Sequence, residues 1–324
     1  MDTPRFSPRG LLAAKTLAAK TATGIASCLL LATPLSSALA AESLLFIGNS
    51  FTFGYGSAAR YYRADTVTDL NNEGTGGVPA LFKSFTDQAG LDFDVFIETY
   101  PGSGLDFHLE NKLGVIGRRG WDKVAMHGYS TLDRNAPGNP ETLINTAAEM
   151  ASFLRGLNPE TELYLSATWS RADMIYPEDR PWHGTGIEQM ALDIRAGYDA
   201  AAKGADASVS PVGEAWTKAI ENGVADPNPY DGISIGQVDL WTWDHYHASS
   251  YGYYLEALVV FGNVTGKDPR SLGRNECSGY ELGFSPDEIT GLQQAAFDQL
   301  VSEGKVSAAP LVLPKPVSPQ RCSD

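Results

Sequence analysis

Little in this chain is basic, and little of it is cysteine. It has 24 Lys and Arg against 39 Asp and Glu, a formal net charge of −15, and three cysteines in 324 residues. The shortage of basic residues argues against a nucleic-acid binder, whose sequence-independent affinity comes from Lys and Arg neutralising phosphates. It argues equally against an anionic membrane surface as partner. No apolar run reaches the roughly 18 residues a membrane-spanning helix needs, so no membrane span is expected in the mature chain. The glycines at Gly74, Gly76 and Gly77 have neither G-x-G-x-x-G nor P-loop spacing, which removes the usual nucleotide cradles. His-Glu-x-x-His is absent, and three cysteines cannot supply a four-ligand zinc site. Gly-x-Ser-x-Gly is missing around Ser50 because position 52 is threonine, so the α/β-hydrolase elbow does not apply.

What is present begins with an address. Arg5, Arg9, Lys15 and Lys20 precede a short apolar stretch, Gly24 to Ala32, and Ala38-Leu39-Ala40 offers small residues for cleavage. Residues 1–40 therefore read as an export signal, and the destination as periplasmic or secreted. Four of the 24 basic and one of the 39 acidic residues lie in it, leaving 20 and 38, a net of −18. Cys28 leaves with the signal. Cys277 and Cys322, 45 positions apart, then read as a disulfide that ties down a tail spanning 306–324.

From Ser43 onward, short apolar runs alternate with amphipathic stretches. Leu44 to Ile47, Val95 to Tyr100, Asp122 to Met126, Glu162 to Ala167 and Ala207 to Val212 suit buried strands. Leu143, Ala147, Met150, Leu154 and Leu157 recur at helical spacing until Asn158-Pro159. Tyr251, Leu255, Leu258, Val259 and Gly262 do so after Ser249 or Ser250, either of which could cap the helix. Such alternation predicts α/β architecture, a mostly parallel sheet of about five strands with helices on both faces, in one domain over 41–305. Two long stretches, 55–77 and 169–186, read as loops walling a site.

Chemistry concentrates at two places. Gly48-Asn49-Ser50 follows the first apolar run, and ligands in open parallel sheets bind beyond the carboxyl ends of strands. Asp244 and His247 lie three apart in a presumed loop before the last strongly amphipathic helix. A serine hydroxyl needs a base, and the base needs an orienting carboxylate. That spacing lets Asp244 reach His247 Nδ1 while Nε2 faces Ser50, with His245 as the rival base. Trp241, Trp243, Tyr246, Tyr251, Tyr253 and Tyr254 cluster around this loop, either as core packing or as a wall for sugar rings. His108, His183 and His245 near Asp244 would permit a metal site, but the base role explains His247 more economically. No metal and no cofactor is expected.

With these residues in hand, the chain resembles the SGNH/GDSL hydrolases, in particular a bacterial branch that opens with a similar IGNSF phrase. Gly48-Asn49-Ser50 is similar to the first block of that superfamily, and Pro101-Gly102-Ser103-Gly104 with His108 to the second. Asp244-x-x-His247 is similar to the fourth. The third block departs: His127-Gly128-Tyr129-Ser130 stands where Gly-x-Asn-Asp is usual. The resemblance implies a flavodoxin-like three-layer α/β/α sandwich and a Ser50–His247–Asp244 triad. Its oxyanion hole would comprise Ser50 and Gly102, with Gly104 the alternative and His127 or Tyr129 in place of the amide. Trp243, Tyr246 and Arg171 are the expected substrate contacts. The expected activity is hydrolysis of a small-molecule or carbohydrate ester, an acetylated sugar by preference. A non-catalytic periplasmic glycan- or ligand-binding protein on the same fold is the alternative, and a metallohydrolase a third class.

Overall fold

The structure is a computed structural model that describes residues 41–308 and Cys322. The expected export signal, residues 1–40, lies outside them, as does most of the expected tail. Six strands form one sheet: β1 (Glu42–Gly48), β2 (Thr68–Asp69), β3 (Phe93–Thr99), β4 (Lys123–Met126), β5 (Glu162–Ala167) and β6 (Ser208–Pro211). Their order is β2-β3-β1-β4-β5-β6, and every pairing is parallel.

Both faces of the sheet are covered. Within β1, Leu44 and Phe46 point into one core and Leu45 and Ile47 into the other, which is why that strand reads as a continuous apolar run. The first core is closed by α1 (Gly77–Gln88), α6 (Val212–Glu221), α7 (Ser250–Thr265) and α9 (Pro286–Ser302). The second is closed by α2 (Leu105–Asn111), α3 (Leu113–Ile116), α4 (Glu141–Leu157) and α5 (Ile187–Ala205). This is the flavodoxin-like three-layer sandwich that the resemblance implied. A short α8 (Cys277–Glu281) precedes α9.

All five runs expected to be strands are strands. The sixth, β2, pairs only Thr68 and Asp69 with β3, inside the stretch expected to be a loop. Two residues carry no readable alternation, so only the exposed edge of β3 reveals the strand. That stretch also holds two 3₁₀ turns, Ala58–Tyr61 and Ala64–Thr66. On α4 the expected stripe is buried at Leu143, Ala147, Met150 and Leu154, but Leu157 is 41% exposed because the helix ends there. The α7 helix is capped by Ser249, whose side chain accepts from the Gly252 N–H. It is buried almost all round, as expected of a helix apolar on every face. Tyr253 and Tyr254 are fully buried and Trp241 nearly so, so half of the aromatic cluster is core.

Candidate functional site

The chain runs outward from β1 in both directions across the sheet, to β3 and β2 on one side and β4, β5 and β6 on the other. The carboxyl end of β1 is therefore the topological switch point, where a crevice opens. Ser50 stands there, two residues past the strand. Gly48 ends β1 because nothing larger fits: a Cβ would sit 2.1 Å from Thr52 Oγ1 and 2.6 Å from His127 Nε2. Asn49 then folds the turn, its Oδ1 accepting from the Phe51 N–H and its carbonyl from Thr52 and Phe53. Phe51 stacks on Trp169 at 4.0 Å, and Trp169 stacks on Trp216 at 4.7 Å. That aromatic column seats the turn on the core.

The loop between α6 and α7 delivers the other two groups. Thr242 donates its N–H to the His247 carbonyl at 2.8 Å, and Asp173 donates to the His245 carbonyl at 3.1 Å. Ser50 Oγ lies 2.9 Å from His247 Nε2, and His247 Nδ1 lies 2.6 Å from Asp244 Oδ2. Asp244 Oδ1 accepts from the N–H groups of Tyr246 and His247. His245 takes a left-handed backbone, and its ring lies 4.2 Å from that of Tyr230. The expected rival base is thus turned onto a different neighbour.

Electrostatics follow from burial and bonding. Burial opposes the charge on Asp244, but the His247 ring and the two backbone donors outweigh it and hold the carboxyl below its ordinary range. Burial pushes His247 below an ordinary imidazole, with Asp244 opposing in part. The ring is therefore neutral at pH 7 and able to accept a proton.

Beside this turn, the backbone N–H groups of Ser50 and Gly102 have no acceptor among the described residues. Gly102 sits at φ +67° with open space around its α-carbon, so the backbone rather than crowding calls for glycine there. Gly104, the alternative, is the N-cap of α2. The two expected side-chain donors are committed elsewhere. His127 is buried, with Nδ1 on the Gly128 carbonyl at 3.0 Å and Nε2 on Thr52 Oγ1 at 2.7 Å. Burial lowers its pKa to about 4, with the Gly128 carbonyl partly opposing. A neutral ring that donates from Nδ1 can only accept at Nε2. The Tyr129 hydroxyl donates to Asp106 at 3.1 Å. Neither residue presents a spare hydrogen to an oxyanion, which corrects the expectation for both.

A cavity of about 250 Å³ adjoins the turn, with Asn49, Gly102, Ser130, Arg134, Arg171 and Tyr246 in its wall and no carboxylate among its lining residues. Arg171 forks onto Asp173, reaches Ser130 Oγ at 3.2 Å, and lies 3.6 Å over the Tyr246 ring. The Tyr246 ring is 4.1 Å from that of His247. Trp243 is 74% exposed on the same loop. Tyr55, absent from the expected contacts, puts its ring 4.6 Å from His247. Its place five residues after Ser50 was the only hint. Ser130 and Arg134 were missed as well, since nothing local marks them. Cys277 and Cys322 are joined in a disulfide, Cα to Cα 5.2 Å. No group of three or more potential metal ligands occurs among the described residues, and His183 is exposed.

Solved structures with similar folds include a DUF4886 family protein from Bacteroides uniformis. It is 18% identical, with a TM-score of 0.58 over 82% of this chain and 97% of that one. A candidate SGNH hydrolase from Slackia heliotrinireducens is 17% identical, with a TM-score of 0.47 over 69% and 99% of the two chains. A variant of an acetyl xylan esterase from Geobacillus stearothermophilus is 16% identical, with a TM-score of 0.45 over 76% and 96%. At such identities the first likeness is one of fold, and the two lower scores add no argument. No family model matches the chain, and no curated protein matches it in sequence.

Proposed function

We propose that this chain is an exported serine hydrolase of the SGNH type that cleaves carboxylic esters through an acyl-enzyme. One observation carries the reading: the unbroken chain from Ser50 Oγ to His247 Nε2 at 2.9 Å and from His247 Nδ1 to Asp244 Oδ2 at 2.6 Å. Ser50 Oγ attacks the acyl carbon as its proton passes to His247 Nε2. Asp244 orients the ring and stabilises the imidazolium that forms. His247 then returns the proton to the departing alkoxide, and an alcohol leaves. A water, deprotonated by the same nitrogen, attacks the acyl-Ser50 ester, and that proton passes to Ser50 Oγ as the acid leaves.

Negative charge on the carbonyl oxygen is met by the N–H groups of Ser50 and Gly102. A missing side-chain donor lowers the rate by about 10²–10³ where it has been removed from such sites, so slow turnover is consistent with this reading.

The substrate we propose is an acetyl ester of a sugar or polysaccharide, or a small-molecule ester of similar size. The cavity of about 250 Å³ is smaller than the roughly 300–1,000 Å³ of drug-sized pockets, which suits a short acyl group. Exposed Trp243 and half-exposed Tyr55 offer faces for sugar rings, while Arg171 and Tyr246 hold the wall beside His247. Export agrees with the disulfide, which persists in oxidising compartments. Among the described residues no helix is long and apolar enough to cross a membrane.

The test is Ser50→Ala assayed on p-nitrophenyl acetate. Hydrolysis and fluorophosphonate labelling are expected to vanish while the circular dichroism and melting temperature stay unchanged. Activity that survives the substitution refutes the assignment. A second reading, a non-catalytic glycan binder on the same fold, is favoured by the engagement of His127 and Tyr129. It predicts no labelling of the wild type together with tight oligosaccharide binding.

A further inference from the structure

Behind the turn that carries Gly102 lies a second chain of three side chains. Ser103 Oγ is 2.9 Å from His108 Nε2, and His108 Nδ1 is 2.6 Å from Glu98 Oε2. These spacings nearly repeat those of Ser50, His247 and Asp244, but the surroundings do not. Glu98 and His108 are 0% exposed, and Ser103 Oγ spends its hydrogen on the Tyr100 carbonyl, so Ser103 is not placed as a nucleophile.

The bonding determines where the protons are. His108 Nε2 lies 2.9 Å from the Gly48 carbonyl, which can only accept, so Nε2 carries a hydrogen. Ser103 Oγ shares that hydrogen as an acceptor while donating its own to the Tyr100 carbonyl at 2.8 Å. On the other side Nδ1 packs against the buried Glu98 carboxyl group, 2.6 Å from Oε2, and neither of these two atoms makes a hydrogen bond among the described residues. Glu98 Oε1 is steadied by Asn71 Nδ2 at 3.3 Å and by Lys112 Nζ at 3.6 Å.

What His108 touches gives the arrangement its meaning. Gly48 is two residues before Ser50, and Ser103 is one residue after Gly102. A single ring N–H thus ties the end of β1 to the Gly102 turn. Three other bonds close the same joint: the Tyr100 N–H on the Gly48 carbonyl at 3.1 Å, Asn49 Nδ2 on the Ser103 carbonyl at 2.8 Å, and Ser103 Oγ on the Gly48 carbonyl at 3.4 Å. We propose that His108, backed by the buried Glu98, is a positioning residue that sets the separation of the Ser50 and Gly102 N–H groups. This rests on the serine hydrolase reading above, in which those groups are the oxyanion donors. A clamp of this kind acts on the transition state, where the oxyanion exists, and leaves ground-state binding alone.

The experiment compares full-length wild type, His108→Ala and Glu98→Gln on p-nitrophenyl acetate, with active sites counted by fluorophosphonate titration. His108→Ala is expected to lower kcat per titrated site by about 10- to 10²-fold with KM within about twofold. Glu98→Gln keeps the shape of the side chain and leaves the Nε2 link to Gly48 and Ser103 in place, so kcat is expected within about threefold of wild type. A structural role alone would give fewer titratable sites, each with normal kcat, and that result overturns the proposal. Should His108→Ala not fold, Ser103→Ala removes the same link while leaving the ring in place. It is expected to lower kcat per site about fivefold, below the effect of losing a whole donor. Unchanged kcat per site in a folded His108→Ala or Ser103→Ala overturns the clamp alone. Absence of both hydrolysis and labelling in the wild type overturns the serine hydrolase reading along with it.

Discussion

Acidification weakens the fold through His127, which resists protonation in the folded state. Its ring is buried between Gly48 and Phe51, with both nitrogens bonded, and burial lowers its pKa to about 4. In the unfolded chain the same ring titrates near 6.5. The folded value is the lower one, so between these two points the unfolded state binds the extra proton and stability rises with pH. Read downwards, stability is lost as pH falls from about 6.5 to about 4. The slope is about 1.4 kcal/mol per pH unit, giving about 2 kcal/mol by pH 5 and about 3 kcal/mol in all. His247, lowered in the same direction, adds to the wild-type slope, so the measurement is a difference. Urea unfolding with the disulfide intact, at pH 7, 6 and 5, is run on wild type and His127→Gln. The amide of the variant can still donate to the Gly128 carbonyl and accept from Thr52. The free-energy gap between the two proteins should shift in favour of the variant by about 2 kcal/mol between pH 7 and pH 5. A gap independent of pH would show that His127 takes up no proton on unfolding, and the account of its burial would be wrong.

Three further outcomes follow from the same geometry. The kcat/KM profile should fall on its acid side with a midpoint below 6.5, because burial lowers His247 and the base is active only when neutral; a midpoint above 7 contradicts this. Asp244→Asn should leave the protein folded and lower kcat by about 10³–10⁴, the scale of the loss when the orienting carboxylate of a serine protease is replaced. Replacing both Cys277 and Cys322 by Ser should lower stability by about 4 kcal/mol in the chain-entropy picture of a 45-residue loop. Because the disulfide lies outside the site, kcat should be unchanged; a matching loss of activity in denaturant-free buffer would tie the tail to the site.

Much of the fold was legible because its signals are local. The runs around Leu45, Ile97, Val124, Leu165 and Val209 are strands buried on both faces, and such strands show themselves as apolar runs bounded by turn residues. Ser249 or Ser250 marked the start of α7 by a similarly local signal, and Ser249 is the cap. Ser50 and the Asp244–His247 pair stood out because each combines the right residue type with a position at the edge of an element. β2 did not, since two residues on a sheet edge have no period. His127 and Tyr129 were read for the hydrogens they own. Whether a hydrogen is already spent depends on Thr52, Gly128 and Asp106, and for Thr52 and Asp106 on chain brought in from 75 and 23 positions away.

By itself, then, the sequence determined the strand–helix alternation, the parallel sheet and the two segments that carry Ser50 and the Asp244–His247 pair, because periodicity and short spacings are properties of neighbouring residues. Only the tertiary structure decided the rest. It brought Ser50 to His247 across 197 positions, spent the donors of His127 and Tyr129, and lodged His108 between Gly48, Ser103 and Glu98. Those outcomes are set by which side chains meet once two apolar faces of one sheet are covered. No stretch of chain contains that information alone, since a hydrogen bond has two ends and only folding selects the second.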